Sequence, residues 1–339
     1  MLICCTLLSA LSFESCKDNN QHVKDLSAHQ IDLDIRRTEG TVFSLKSIPQ
    51  VVDWAQDDTV FSEVYLNGIM QDITGGYRRS EEQRAEALLQ FVQNGDMRHL
   101  YQTVDSTFHD FDEIEHGLNE AFSYFNYHFG DSSIPTVYTF VSPFYYNTVT
   151  FGTSLGIGLD MYLGAGFSPY YTPGLNFPQY KINKFRKSSV VADAVKSWLM
   201  SVFPKQDEDR RLISEILYEG KILYAMDALL PEEADSIKIG YEKGQIEWCR
   251  DNQLQIWDHL IAEDLLYSRD QLKYRGVLGD GPFSKGVNVP QESSPRMAVW
   301  TGWQIVRRYM ELNPEITLKD LMEDTDYDRM LRKSVYKPG

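Results

Sequence analysis

The chain has 339 residues, of which 42% are hydrophobic and 13% aromatic, so it has ample material for a core and is not a disordered protein. It contains 33 lysines and arginines against 49 aspartates and glutamates, a formal net charge of −16. Nucleic acids and anionic membrane surfaces are bound through clustered basic residues. The charge balance therefore argues against nucleic acid as a partner and against membrane docking through a basic patch.

The N-terminus resembles the signal of a bacterial lipoprotein. The apolar run MLICCTLLSALSF is too short to span a bilayer as a helix but suits the hydrophobic region of a secretory signal, although no lysine or arginine precedes it. Ser15 comes directly before Cys16, and a polar segment follows. We predict a signal peptide over residues 1–15, lipidation at Cys16 and a tether over 16–40, which together imply a lipid-anchored protein of the cell envelope. A plain signal peptide or a buried N-terminal strand are the alternatives.

The next part of the chain has helical periodicity from about residue 48 to residue 130. Within it, the segment 80–95 begins with Ser80 as N-cap and has Gln83 at the capping-box position. A second helix is predicted over 110–130, where Gly130 ends the pattern.

The middle of the chain is rich in β-branched and aromatic residues. Three strands are predicted there, over 134–142, 147–152 and 154–164, followed by an aromatic loop over 164–180. Helical patterns then return to the end of the chain, over 187–203, 207–229, 241–266, 294–312 and 317–333. The predicted fold class is α+β, mostly helical, with a small antiparallel sheet of about three strands flanked by helices, in a single globular domain over 41–339.

The sequence lacks the common zinc-binding motifs. No HExxH or CxxC motif is present, and the glycines of 152–164 do not follow the GxGxxG spacing. His116 and Glu120 have the i,i+4 spacing of two metal ligands, but they lie at a charged helix start that solvation explains. Cys249 has no histidine near it and is predicted to pack in the core. We therefore expect no metal or other cofactor.

One acid interrupts an apolar helical face. In LISEILYEGKILYAMDALLP (212–231), Glu219 shares a face with Leu212, Ile216 and Leu223. A carboxylate on a buried face is unfavourable unless a metal, a proton or a cation pairs with it.

Several segments, taken in order, resemble the gliding-motility lipoprotein family GldB of Bacteroidetes. They are the start at Cys16, GIGLDMYLG (156–164) with FPQY (177–180), ILYEGKILYAMDALLP (216–231), the helix over 239–268, DGPFSKGVNV (280–289) and SPRMAVWTGWQIVRRYM (294–310). The resemblance implies a membrane lipoprotein that works with other cell-envelope proteins in gliding motility or in the secretion machinery that accompanies it. It also implies a distant, zincin-like relation to zinc peptidases that carry HExxH on one helix and a glutamate ligand on the next.

In that relation, Glu219 would take the place of the glutamate ligand, and the helix over 187–199 would take the place of HExxH. If Asp193 matches the catalytic glutamate, the two histidine positions are Ala192 and Lys196, whereas the other register gives Val191 and Val195. Neither register supplies a histidine, although a zinc site needs three protein ligands.

These residues lead to the hypothesis of a vestigial, non-catalytic site formed by Glu219, Asp193 and Lys196. A cation pairs with Glu219 in this hypothesis, either Lys196 or, as alternatives, Arg296 or Lys221. Two other functions stay open at this point. One is a zinc-dependent, metallopeptidase-like hydrolase with unrecognised ligands, and the other is a lipoprotein that binds a peptide or glycan through the aromatic loop.

Overall fold

The computed structural model describes residue 22 and residues 24–75, 80–130, 133–206 and 209–338. The predicted signal peptide over 1–15 and the predicted lipidation residue Cys16 lie outside these ranges.

Helices dominate both ends of the described chain, as predicted. Before the sheet's main strands lie α1 (Thr38–Ser44), α2 (Ile48–Asp57), α3 (Thr59–Val64), α4 (Met70–Thr74), α5 (Glu81–Gln93), α6 (Gly95–Thr107) and α7 (Asp112–Phe129). After them come α8 (Gln179–Ile182), α9 (Val190–Val202), α10 (Leu212–Leu229), α11 (Asp235–Ile239), α12 (Lys243–Asp251), α13 (Gln253–Ala262), α14 (Gln271–Leu278), α15 (Met297–Leu312), α16 (Leu318–Glu323) and α17 (Tyr327–Ser334).

The sheet is small and mixed, with the strand order β1-β2-β4-β3. The strands are β1 (Ile35–Arg37), β2 (Thr136–Phe140), β3 (Thr148–Phe151) and β4 (Ser154–Gly158). The α+β class is confirmed, but the predicted antiparallel sheet of three strands is wrong. Strand β1 pairs with β2 in parallel, β2 pairs with β4 in parallel, and β3 with β4 is antiparallel.

The physical reason is that β4 inserts between β2 and β3. Strands that follow one another closely suggest a meander, yet β3 forms a hairpin with β4 and leaves β4 to meet β2. The two glycines of β4 permit this position. A Cβ on Gly156 would lie 2.8 Å from a methyl group of Val149, and one on Gly158 would lie 2.0 Å from the carbonyl oxygen of Tyr146. Strand β4 therefore packs too closely against its neighbours for a side chain at either glycine.

Local capping explains where several helices begin and end. The side chain of Ser80 accepts from the backbone N–H of Gln83, and the Gln83 side chain accepts from the backbone N–H of Ser80, which confirms the predicted capping box. The predicted helix over 241–266 is instead two helices that meet at Asn252. The predicted helix over 317–333 is also two, since Asp326 caps α17.

Within the tether predicted over 16–40, the described residues 24–40 are part of the folded body. Strand β1 falls in this range, and Leu33 and Glu39 are buried. Two side chains of α7 hold the segment before the strand. The backbone N–H of Ile31 donates to Oγ of Ser123 at 2.9 Å, and that of Leu33 donates to Oδ1 of Asn119 at 2.9 Å. This polar segment folds against the body because α7 supplies its hydrogen-bond partners.

Helix α10 lies at the centre of the molecule and crosses α15 at glycines. A Cβ on Gly220 would lie 2.5 Å from the carbonyl oxygen of Gly302, and a Cβ on Gly302 would lie 2.0 Å from that of Ile216. Neither position has room for a side chain, so the two helices cross in close contact. This crossing brings the beginning of α15 next to the middle of α10, where Glu219 lies.

Candidate functional site

The carboxylate of Glu219 is bound by two cations from neighbouring elements. Lys196 on α9 places its Nζ 3.3 Å from Oε2 of Glu219, and Arg296, directly before α15, places its Nη2 3.0 Å from the same oxygen. Their side chains are 21% and 14% exposed, so the contacts are largely shielded from water. The ion pair that the sequence predicts between Lys196 and Glu219 is present, and one of the two alternative partners joins it.

The electrostatics of this cluster favour the ionised pair. Burial alone would raise the pKa of Glu219, but the charges of Lys196 and Arg296 outweigh it and hold that pKa below its ordinary value. Burial, with the positive charge of Arg296, lowers the pKa of Lys196, while Glu219 opposes the shift. The two basic side chains therefore stabilise the ionised carboxylate of Glu219.

Arg296 reaches Glu219 from an unusual backbone conformation. It has φ 53° and ψ 32°, in the left-handed region that favours glycine, and it is the residue that precedes the first turn of α15. Its second nitrogen, Nη1, donates to the carbonyl oxygen of Ile239 at 3.1 Å. Neither Ser293 nor Ser294 caps α15, since their hydroxyls donate to the carbonyl oxygens of Ser284 and Gln245.

Asp193 lies beside the cluster, one turn before Lys196 on α9. The hydroxyl of Tyr162 donates to its Oδ2 at 3.1 Å. Burial raises the pKa of Asp193 to about 6, against the hydrogen bond from Tyr162 and the charge of Lys196, which both lower it. The three residues of the hypothesised vestigial site, Glu219, Asp193 and Lys196, are thus brought together, while their role stays a prediction.

Lys221, the other alternative partner, turns away from Glu219. Its Nζ donates to the carbonyl oxygens of Met322 and Asp324, at 3.0 and 2.7 Å, where helix α16 ends. Burial lowers the pKa of Lys221 to about 8. Lys221 satisfies helix carbonyls that lack partners of their own, so its role is structural.

The side chains around Glu219 do not fit a zinc ion. A catalytic zinc site needs three protein ligands and an open position. Of the two histidine positions in the register of Asp193, Ala192 has no donor atom and Lys196 directs its ammonium group at Glu219. Within residues 22, 24–75, 80–130, 133–206 and 209–338, no group of three or more His, Cys, Asp or Glu side chains is placed to hold a metal ion. His116 and Glu120 line a shallow cleft of about 400 Å³ along α7 without forming such a group.

A second ion cluster, which the sequence analysis missed, surrounds Asp227 near the end of α10. Its Oδ1 accepts from Lys238 at 3.1 Å and from Nη2 of Arg307 at 2.8 Å. Its Oδ2 accepts from the indole of Trp303 at 2.9 Å and from Nε of Arg307 at 2.8 Å. Arg307 also binds Asp235 and stacks on the ring of Trp303 at 3.8 Å. The sequence feature that could have revealed this cluster is Asp227 itself, a second acid on the apolar helix 212–229.

The aromatic loop after β4 is mostly folded inward. Tyr170 is 1% exposed, and its ring contacts those of Phe144, Phe167 and Phe185 edge to face. Its hydroxyl donates to the carbonyl oxygen of Asp160 at 2.6 Å. Rings that contact one another are not free to stack on a sugar or peptide, although Tyr171 is 50% exposed.

Comparison with known proteins identifies the family. Neither a curated protein nor a solved structure matches this chain, so the zincin-like relation remains a prediction. No helix in the part of the chain that the structure describes has the length and apolar character to cross a membrane. A family model described as "Gliding motility protein GldB", whose label GldB_lipo marks a lipoprotein family of the cell envelope, matches residues 19–338. The chain therefore belongs to the gliding motility protein GldB family.

Proposed function

We propose that this protein is a membrane-anchored, non-catalytic lipoprotein that supports gliding motility or the protein-secretion machinery associated with it. Membership of the GldB family supports the role in motility, and the family's designation supports lipidation, for which Cys16 is the candidate residue. Its partners are then the membrane, through the lipid, and other proteins of the cell envelope.

The observation that carries the non-catalytic part is the occupation of Glu219 by two cations. A divalent metal at this carboxylate would meet the positive charges of Lys196 and Arg296, whose nitrogens already lie 3.3 and 3.0 Å from Oε2. Like charges at such distances repel by several kcal/mol where water is largely excluded. Metal-activated hydrolysis needs that ion, so this arrangement favours a structural role for Glu219.

The experiment is complementation of a strain that lacks its own copy of the gene. Asp193→Asn is the informative variant, because it keeps the shape of the side chain and removes a catalytic carboxylate. A scaffold retains gliding with this variant, whereas an enzyme that uses Asp193 as its acid or base loses gliding at unchanged protein abundance. Asp258→Asn, at an exposed position on α13, is the matched control.

The anchor is tested separately in the same strain. We expect the Cys16→Ala protein to be lost from the membrane fraction, since lipid chains supply the membrane affinity. Cells that carry this variant are then expected to stop gliding. A Cys16→Ala protein that still fractionates with membranes and incorporates labelled acyl chains would contradict lipidation at this residue.

A further inference from the structure

We propose that the carboxyl end of α10, with the surface around His22, faces the membrane. This contact determines the orientation of the protein relative to the bilayer. This orientation rests on the proposed lipid anchor at Cys16. It follows from where the folded body first holds the chain and from how few residues separate that point from the anchor.

The segment from residue 24 to residue 33 is held along α7. Besides the contacts of Ile31 and Leu33 with that helix, the ring of His29 packs edge to face on Tyr127 with centroids 5.2 Å apart. Asn126 donates to the carbonyl oxygen of His29 at 3.3 Å, and the backbone N–H of Lys24 donates to the hydroxyl of Tyr124 at 3.4 Å. The chain therefore follows the body back toward its N-terminus and does not hang free from residue 40.

The first described residue, His22, contacts the last turns of α10. Its ring packs edge to face on Tyr224, with centroids 5.3 Å apart. From Cys16 to His22 the chain makes six residue steps, which reach at most about 21 Å at ~3.5 Å per step. Helix α10 has 18 residues and is therefore about 27 Å long. A lipid on Cys16 keeps the Tyr224 end of α10 close to the bilayer, and the body of the protein then extends away from it.

The surface at this end is polar. A cleft of about 540 Å³ lies beside His22 and contains the basic residues Lys238, Arg250 and Arg307 together with four acidic side chains. The surface is polar, so we infer that it lies against the headgroups and does not insert.

The test compares two single-cysteine probes on the lipidated full-length protein in vesicles of phosphatidylethanolamine and phosphatidylglycerol. Ala234→Cys places the probe in the cleft beside His22, at an exposed position. Leu272→Cys places it on α14 at the far end of α10, because Tyr274 of the same helix donates to the carbonyl oxygen of Arg210. Leu272 is 71% exposed, and the native Cys249 is buried, so labelling is confined to the introduced thiol.

A fluorophore on each thiol is then quenched by spin labels on the lipid headgroups. We expect at least a twofold greater fractional quenching at residue 234 than at residue 272. Equal or reversed quenching in protein that floats with the vesicles overturns the orientation. If the Cys16→Ala protein floats with the vesicles, or the native protein does not, the lipid anchor at Cys16 is wrong and the proposed function fails with it.

Discussion

Helix α10 carries two acids that meet cations in different ways. Glu219 and Asp227 are eight positions apart, about 12 Å along the helix. Asp227 accepts four hydrogen bonds on both oxygens, and its side chain is 7% exposed. Glu219 is 22% exposed, and both its cations bind Oε2. Among the residues that the structure describes, none donates a hydrogen bond to Oε1 of Glu219.

The two carboxylates differ in how completely their oxygens are hydrogen-bonded. A carboxylate with all its acceptor sites filled and with little contact with water has no place for another group, so Asp227 fixes α10 against α11 and α15. Glu219, which the family resemblance places at a zinc-ligand position, is partly exposed and has Lys196 and Arg296 on a single oxygen.

The largest expected effect is at the saturated cluster. Asp227→Asn leaves the buried Lys238 and the half-buried Arg307 without their common carboxylate, and we expect it to lower the free energy of unfolding by about 3–5 kcal/mol. Chemical denaturation measures this, with Asp258→Asn as the exposed control. A loss smaller than that of Glu219→Gln would reverse the ranking of the two clusters.

Glu219→Gln is expected to lower the free energy of unfolding by less, about 2–4 kcal/mol, because this carboxylate is partly exposed and water screens its two cations. Glu247→Gln, at an exposed position on α12, is the matched control in the same thermal and chemical denaturation experiments. Unchanged stability in Glu219→Gln would show that the ion pairs contribute nothing to the fold.

Asp193→Asn is expected to stabilise the protein at pH 7.5. The pKa of Asp193 is about 6 in the folded state and about 3.9 when unfolded, so the folded state binds more protons between these values. Its contribution to stability is therefore lost as the pH rises through this window. In chemical denaturation we expect the free energy of unfolding of the variant to exceed that of the native protein by about 1–3 kcal/mol at pH 7.5 and to equal it at pH 4. Asp160, whose pKa burial also raises to about 6, is present in both proteins and cancels in the difference. A lower free energy of unfolding for the variant at pH 7.5 would contradict this and show that the charge of Asp193 stabilises Lys196.

The smallest effect concerns the backbone of Arg296. Arg296→Ala and Arg296→Gly both remove the guanidinium from Glu219, but only glycine adopts φ 53° without strain. The glycine variant is expected to be about 1 kcal/mol more stable than the alanine variant. Equal stabilities from denaturant titrations would mean that the left-handed conformation is not strained in the folded protein.

The sequence predicted what depends on local pattern and spacing. The helical ends and the Ser80 capping box follow from periodicity and local spacing, and the Lys196–Glu219 pair, 23 positions apart, follows from the family resemblance and that spacing. Strand order was not predictable, because it depends on β4 inserting between two strands that precede it. The Asp227 cluster was missed because Arg307 lies 80 positions away and looks like an ordinary surface charge.

If Lys196 and Arg296 stand in place of a metal at Glu219, protein purified from its native membranes without chelators carries no stoichiometric zinc, and elemental analysis measures this. We expect zinc well below one ion per chain in the native protein and the same trace in Glu219→Gln. One zinc ion per chain in the native protein, lost in Glu219→Gln and kept in Glu247→Gln, would contradict it.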